Sequence, residues 1–163
     1  MSERKHLPVY GVGPAYVIGI TILTAAGFAL SYSGCLESGR LPACRIPFLV
    51  IGSFFIILGL FLWIEAAVFS KLDDHIKKNE LVTTGVYACV RNPIYTAFIF
   101  IFTGALLFMN NLWLLILPVV FWLSLTVLMK CTEEKWLLKT FGSVYEDYCR
   151  KVNRVIPWFP GKS

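Results

Sequence analysis

Two short stretches of this chain hold most of the residues able to do chemistry. The first contains Tyr87, Arg91, Asn92, Pro93 and Tyr95. The second opens on the adjacent carboxylates Glu133 and Glu134, with Lys130 just before them and Arg154 further on. Asn92 is a good N-cap residue and Pro93 suits the first position of a helix, so a helix is expected to start there. The amides of such a helix start favour an anion or a carboxylate. A capped membrane helix would explain Asn92-Pro93, but not the tyrosines and arginine clustered around them. Glu65, near the end of an apolar run, is a further isolated carboxylate. A side chain that snorkels to water accounts for it without a function.

The elements that must position these residues follow from composition. The chain has 163 residues, 57% of them hydrophobic and only 15% charged. An ordinary soluble domain is about 25% charged. Mean hydropathy is +0.69. One core of this length cannot hide so much apolar surface, which excludes disorder, a coiled coil and a typical soluble enzyme. The net charge of +5 does not point to nucleic acid, because no basic run is interleaved with aromatics. The expectation is an all-α polytopic membrane protein, a single domain over 1–163. It divides into residues 1–78 with two spans and 79–163 with the candidate site.

A bilayer core of about 30 Å needs roughly 20 apolar helical residues. Spans are expected at 14–33, 47–69, 94–109 and 112–129. The first is too long for a cleaved signal peptide and lacks the small-residue cleavage pattern. Only Asn110 and Asn111 separate the last two, which predicts a tight hairpin. With four spans, thirteen of the fifteen Lys and Arg residues fall on one side: Arg4, Lys5, Lys71, Lys77, Lys78, Arg91, Lys130, Lys135, Lys139, Arg150, Lys151, Arg154 and Lys162. Arg40 and Arg45 fall on the other. By the positive-inside rule both termini are cytosolic, and the candidate site faces the cytosol.

Cys35 and Cys44 share the outer loop, where a disulfide or two free thiols are equally compatible with the sequence. Cys89, Cys131 and Cys149 fit no zinc spacing and have no histidine beside them, so no metal site is expected. After the fourth span, Leu137, Phe141, Val144, Tyr145, Tyr148 and Val152 recur at helical spacing opposite Lys135, Lys139, Glu146, Asp147 and Arg150. This predicts an amphipathic helix at the membrane surface, ended by Pro157 and Pro160.

Leu81-Val82-Thr83-Thr84-Gly85-Val86-Tyr87-Ala88-Cys89-Val90-Arg91-Asn92-Pro93-Ile94-Tyr95 resembles the signature of the integral-membrane isoprenylcysteine carboxyl methyltransferases. Glu133-Glu134, Leu137, Phe141-Gly142, Tyr145, Tyr148, Val152 and Pro157 resemble that family's second block. The likeness covers Leu81 to Pro157 and extends to the wider phospholipid methyltransferase superfamily. It implies that S-adenosylmethionine binds at the cytosolic face and leaves as S-adenosylhomocysteine. The matching cofactor positions are Leu81, Val82, Tyr87, Asn92, Pro93, Tyr95 and Glu133, with Glu134 completing an acceptor pair. Two positions depart from the family. Asn92 stands where the family has His, and Met129 stands where it has an arginine for the substrate carboxylate. Lys130, aided by Arg91 and Arg154, is the expected replacement, although a point charge is not a bidentate fork.

Methyl transfer asks the protein to align a nucleophile with an activated methyl and to exclude water. A carboxylate or thiolate needs no base, whereas a protonated amine does. His6 and His75 both lie outside the two blocks, which favours a carboxylate or thiolate on a lipophilic acceptor drawn from the bilayer. Two other readings stay open at the level of sequence. One is an NADPH-dependent sterol or enone reductase, which carries a similar arginine–tyrosine block. The other is a four-helix proton-coupled transporter using Glu65.

Overall fold

The computed structural model describes residues 12–69 and 80–157. Arg4, Lys5, His6, Lys71, His75, Lys77, Lys78, Pro160 and Lys162, on which expectations drew, lie outside them. So does the boundary at 78. Six α-helices carry the described chain: α1 Gly13–Tyr32, α2 Arg45–Ile64, α3 Pro93–Phe108, α4 Ile116–Cys131, α5 Glu133–Phe141 and α6 Ser143–Lys151.

Three apolar stretches are long enough to cross a membrane: Gly13–Tyr32, Pro42–Val68 and Leu112–Phe141. The chain is an integral membrane protein. Helix α3 is equally apolar but has 16 residues, about 24 Å of helix against a core of about 30 Å.

Lipid supplies no hydrophobic force between helices, so association depends on close packing of small residues. Helices α2 and α3 meet in that way. Gly52 and Gly59 lie seven residues apart on α2, and Ala97 and Gly104 lie seven apart on α3. A Cβ at Gly52 would sit 2.8 Å from the Gly104 carbonyl oxygen, and one at Gly59 2.7 Å from that of Ala97. A Cβ at Gly104 would collide with the Gly52 carbonyl. Helix α1 buries a narrow stripe: Gly13, Tyr16, Ile20, Thr24, Gly27 and Ser31. Two of its buried hydroxyls donate to carbonyls: Thr24 Oγ1 to Ile20 O at 2.8 Å and Tyr16 Oη to Phe121 O at 2.9 Å. The core joins Tyr16 and Ile20 to Ile99 and Leu106 of α3 and to Phe121, Leu125 and Met129 of α4.

Non-helical backbone at membrane depth must be satisfied by protein. The α3–α4 joint does this with side-chain amides. Asn111 is buried. It accepts from Trp113 N at 3.0 Å and donates to Leu36 O at 2.7 Å. Asn110 donates to Leu41 O at 2.8 Å. A 3-10 turn, Leu112–Leu115, lengthens the joint beyond the two asparagines. Cys35 and Cys44, in the loop clasped there, are both free thiols.

The tail differs from expectation. It is two helices rather than one, because Gly142 between them takes φ +55°, ψ −131°, a conformation a continuing helix cannot hold and a side chain resists. Val144 lies on the exposed face, outside the apolar stripe. The remaining expected residues do converge: Tyr145, Tyr148 and Val152 form a small core with Leu81, Leu137 and Phe141.

Replacing Gly104 by Val drives a branched side chain into α2. The expected cost is about 1–3 kcal/mol, read as a lowered unfolding midpoint in a denaturing-detergent titration. An unchanged midpoint would refute the close α2–α3 contact.

Candidate functional site

The two chemically dense stretches, 38 residues apart from Tyr95 to Glu133, are laced together by α6 and the segment after it. Arg91 N donates to Asn153 O at 2.8 Å. Asn92 Nδ2 donates to Arg154 O at 3.0 Å, and Thr96 Oγ1 to Val155 O at 2.8 Å. Tyr148 Oη donates to Tyr87 O at 2.6 Å. This corrects the expected capping of α3. Asn92 occupies the N-cap position and Pro93 follows it, but the Asn92 side chain makes no cap bond. Its amide is spent on the tail backbone instead. Gly85 does take the expected positive φ, +60°, and opens the 3-10 turn that carries Tyr87.

Beside this lacing, Glu134 is held by two cations. Arg154 Nε and Nη2 donate to its two oxygens at 2.6 and 2.8 Å, a bidentate fork. Arg91 Nη1 lies 3.1 Å from Glu134 Oε1 and also contacts the Cys149 thiol. The three side chains are 8%, 16% and 18% exposed for Arg91, Glu134 and Arg154. The Glu134 hydrogen bond holds Arg154 above the ordinary arginine range. A base raised in this way stabilises the fold below its unfolded pKa and loses that effect only as pH passes its folded value, far into the alkaline range. Burial pushes Tyr145 and Tyr148 up, so both stay protonated near neutrality.

Glu133 faces the other way. It accepts from Tyr95 Oη at 3.2 Å and from the Val12 backbone amide. The Tyr95 ring packs edge-on against Tyr16, centroids 6.0 Å apart, and sits against Gly13, where any Cβ would collide with it. The start of α1 is thus a wall of this site. Neither sequence block points to Val12, Gly13 or Tyr16. The available signal was Gly13-Pro14 at the head of an apolar run with one tyrosine on its buried stripe.

The other expected site residues are placed as follows. Pro93 and Tyr87 are buried, Leu81 and Val82 half-buried. Leu81 packs on the Tyr145–Tyr148 core. Lys130 is exposed. With Glu134 it lines an open cleft of about 450 Å³ formed by α4, α5 and α6. Glu65 begins a π turn, Glu65–Phe69, that ends α2. Among the described residues no group of His, Cys, Asp or Glu is placed to hold a metal.

The sequence pattern of the family described as phospholipid methyltransferase matches residues 43–144. The chain belongs to the phospholipid methyltransferase family. It is 36% identical over 85 residues to the Protein-S-isoprenylcysteine O-methyltransferase of Schizosaccharomyces pombe, covering 52% of this chain and 36% of that protein. It is 37% identical over 89 residues to the Protein-S-isoprenylcysteine O-methyltransferase of Saccharomyces cerevisiae, covering 54% and 35%. The match thus spans about a third of the length of these relatives. No solved structure matches the chain. These relatives agree with the family likeness carried by the Leu81–Tyr95 and Glu133–Pro157 blocks.

Removing the shared carboxylate leaves two guanidinium groups facing each other. Glu134→Ala should therefore cost about 2–4 kcal/mol, as for other partly buried ion pairs broken from one side. Glu133→Gln keeps the acceptor oxygen and should cost under about 1 kcal/mol. Unfolding titrations of both variants check the order, and equal losses would contradict the division of labour between the two glutamates.

Proposed function

We propose that this chain is an S-adenosylmethionine-dependent methyltransferase acting on a lipophilic, membrane-embedded acceptor. The observation that carries the reading is the meeting of the two blocks at Tyr95–Glu133, with Glu134 neutralised beside it. Its residues fit the cofactor in kind. Glu133 accepts from Tyr95 and Val12, and a carboxylate has about four lone-pair sites. It therefore keeps capacity for a hydroxyl or an ammonium. Arg91 Nε is a buried donor with no partner, suited to an anionic group. Glu134, committed to two arginines, positions them and is not part of the acceptor pair. Leu81 and Val82 offer backbone groups, and Tyr87, Asn92 and Pro93 wall the site.

The cofactor supplies a methyl group activated by sulfonium. The protein aligns and shields. Tyr95 is fixed by Tyr16 and Gly13, so Glu133 is held in one orientation. Arg91 and Arg154 share a single carboxylate, which leaves a net positive charge at that point. This charge suits an acceptor carboxylate, which attacks without a general base. The relatives' name, an O-methyltransferase, is of that reaction class.

In this reading α3 is a fourth span, short enough that the bilayer thins around it. In this reading both termini and the site are cytosolic, which the sorting of Lys and Arg supports. The acceptor enters sideways from the lipid.

Labelled methyl transfer to prenylcysteine, phospholipid and thiol acceptors tests the activity, with a signal expected for a carboxylate acceptor. Glu133→Ala should weaken S-adenosylhomocysteine binding at least about tenfold, measured by titration of folded protein in detergent. Unchanged affinity removes Glu133 from the site, and tight NADPH binding would favour a reductase. Gly13→Val should likewise weaken the cofactor, because it displaces the Tyr95 ring from Glu133.

A further inference from the structure

The cleft between α4, α5 and α6 is not explained by the Tyr95–Glu133 contact. Lys130, Lys135 and Arg150 stand around it, and Leu138, Tyr145 and Cys149 supply much of its wall. Glu134 and Glu146 also line it, but Glu134 is already taken by Arg91 and Arg154. Arg150 lies 3.7 Å from Asp147, with both side chains well exposed, a contact of little strength. Among the lining residues three cations stand against two carboxylates, and one of those, Glu134, is neutralised by Arg91 and Arg154 from outside the lining, so the cleft is net cationic.

Its place in the fold narrows what would occupy it. Lys130 is in the last turn of α4. Ile116, Val120, Leu123 and Val127 precede it at steps of four, three, four and three, which keeps all five on one helix face. Those four apolar side chains are exposed, Leu123 at 49% and Val127 at 60%. An apolar stripe therefore runs down the membrane-spanning helix and ends at an ammonium group on the rim of a cationic cleft. A free anion in water has no use for the stripe. An anionic amphiphile uses both parts, its chains against the stripe and its head among the cations.

We propose that the cleft binds the phosphate headgroup of an anionic membrane phospholipid, whose acyl chains lie along the Ile116–Val127 face of α4. The same lipid then ties α5 and α6, and so Glu133 and Glu134, to the membrane surface.

The test is native mass spectrometry of the full chain in neutral detergent, supplied with phosphatidylglycerol or phosphatidylcholine of matched acyl chains. The wild type should retain phosphatidylglycerol roughly tenfold or more over phosphatidylcholine. In the double variant Lys135→Gln/Arg150→Gln that preference should fall to near parity. Both positions are exposed, and an unfolding midpoint equal to wild type confirms that the variant is folded. Lys135→Glu provides an independent charge reversal if the double variant is unstable. Equal retention of the two lipids, or an unchanged preference in the variants, overturns the proposal. Displacement by millimolar inorganic phosphate would make the cleft a site for free anions, and displacement by a prenylcysteine would assign it to the acceptor. Either result also overturns it. Neither methyl donor nor acceptor is needed for the lipid measurement, so its failure leaves the methyltransferase reading untouched.

Discussion

A carboxylate shared by two guanidinium groups holds one end of this protein together. Glu134 stands at the start of α5, Arg91 just before α3 and Arg154 after α6. Three segments distant in sequence are thus joined by one charge. The cost of bringing these groups out of water is met by a bidentate fork from Arg154 and a second contact from Arg91. The backbone lacing then follows. Once Arg154 is fixed, its carbonyl accepts from Asn92, Val155 accepts from Thr96, and Asn153 accepts from Arg91. Glu133, one residue earlier on the same helix, is left facing Tyr95.

The opposite end of the bundle solves a different problem with different means. There the chain must reverse direction between two apolar helices with its backbone groups satisfied. Neutral amides do this: Asn110 and Asn111 reach the loop between α1 and α2. Between the two ends, α2 and α3 approach until backbone meets backbone at Gly52 and Gly104. The start of α1 then closes over Tyr95.

Much of this was legible in the sequence, for identifiable reasons. Apolar runs are a strong signal because each must match a fixed thickness, and among the described residues three are long and apolar enough to do so. The site blocks carried enough residue types at fixed spacing to be brought together on paper, and the structure joins them at Tyr95–Glu133 and Arg91–Glu134. The tail was read as one helix because periodicity survives a kink when both halves face one core. Tyr145 and Tyr148 still meet Leu137 and Phe141 across Gly142. The role of Asn92 was misread because a cap is a local inference, and a carbonyl 62 residues away competed successfully for its amide.

The sequence by itself determined the membrane class, the helical architecture and the small set of polar residues that lipid would not tolerate without a purpose. These depend on local composition and on the energy of moving groups out of water, which each segment carries with it. Only the tertiary structure decided which partners the two glutamates take, that Gly13 and Tyr16 pack against Tyr95, and that Lys130 faces a cleft at the end of an apolar stripe. Those depend on which side of α5 each carboxylate leaves and on what three separate segments bring to meet it. Adjacent residues on a helix point about 100° apart, so neighbours in sequence become opposites in space.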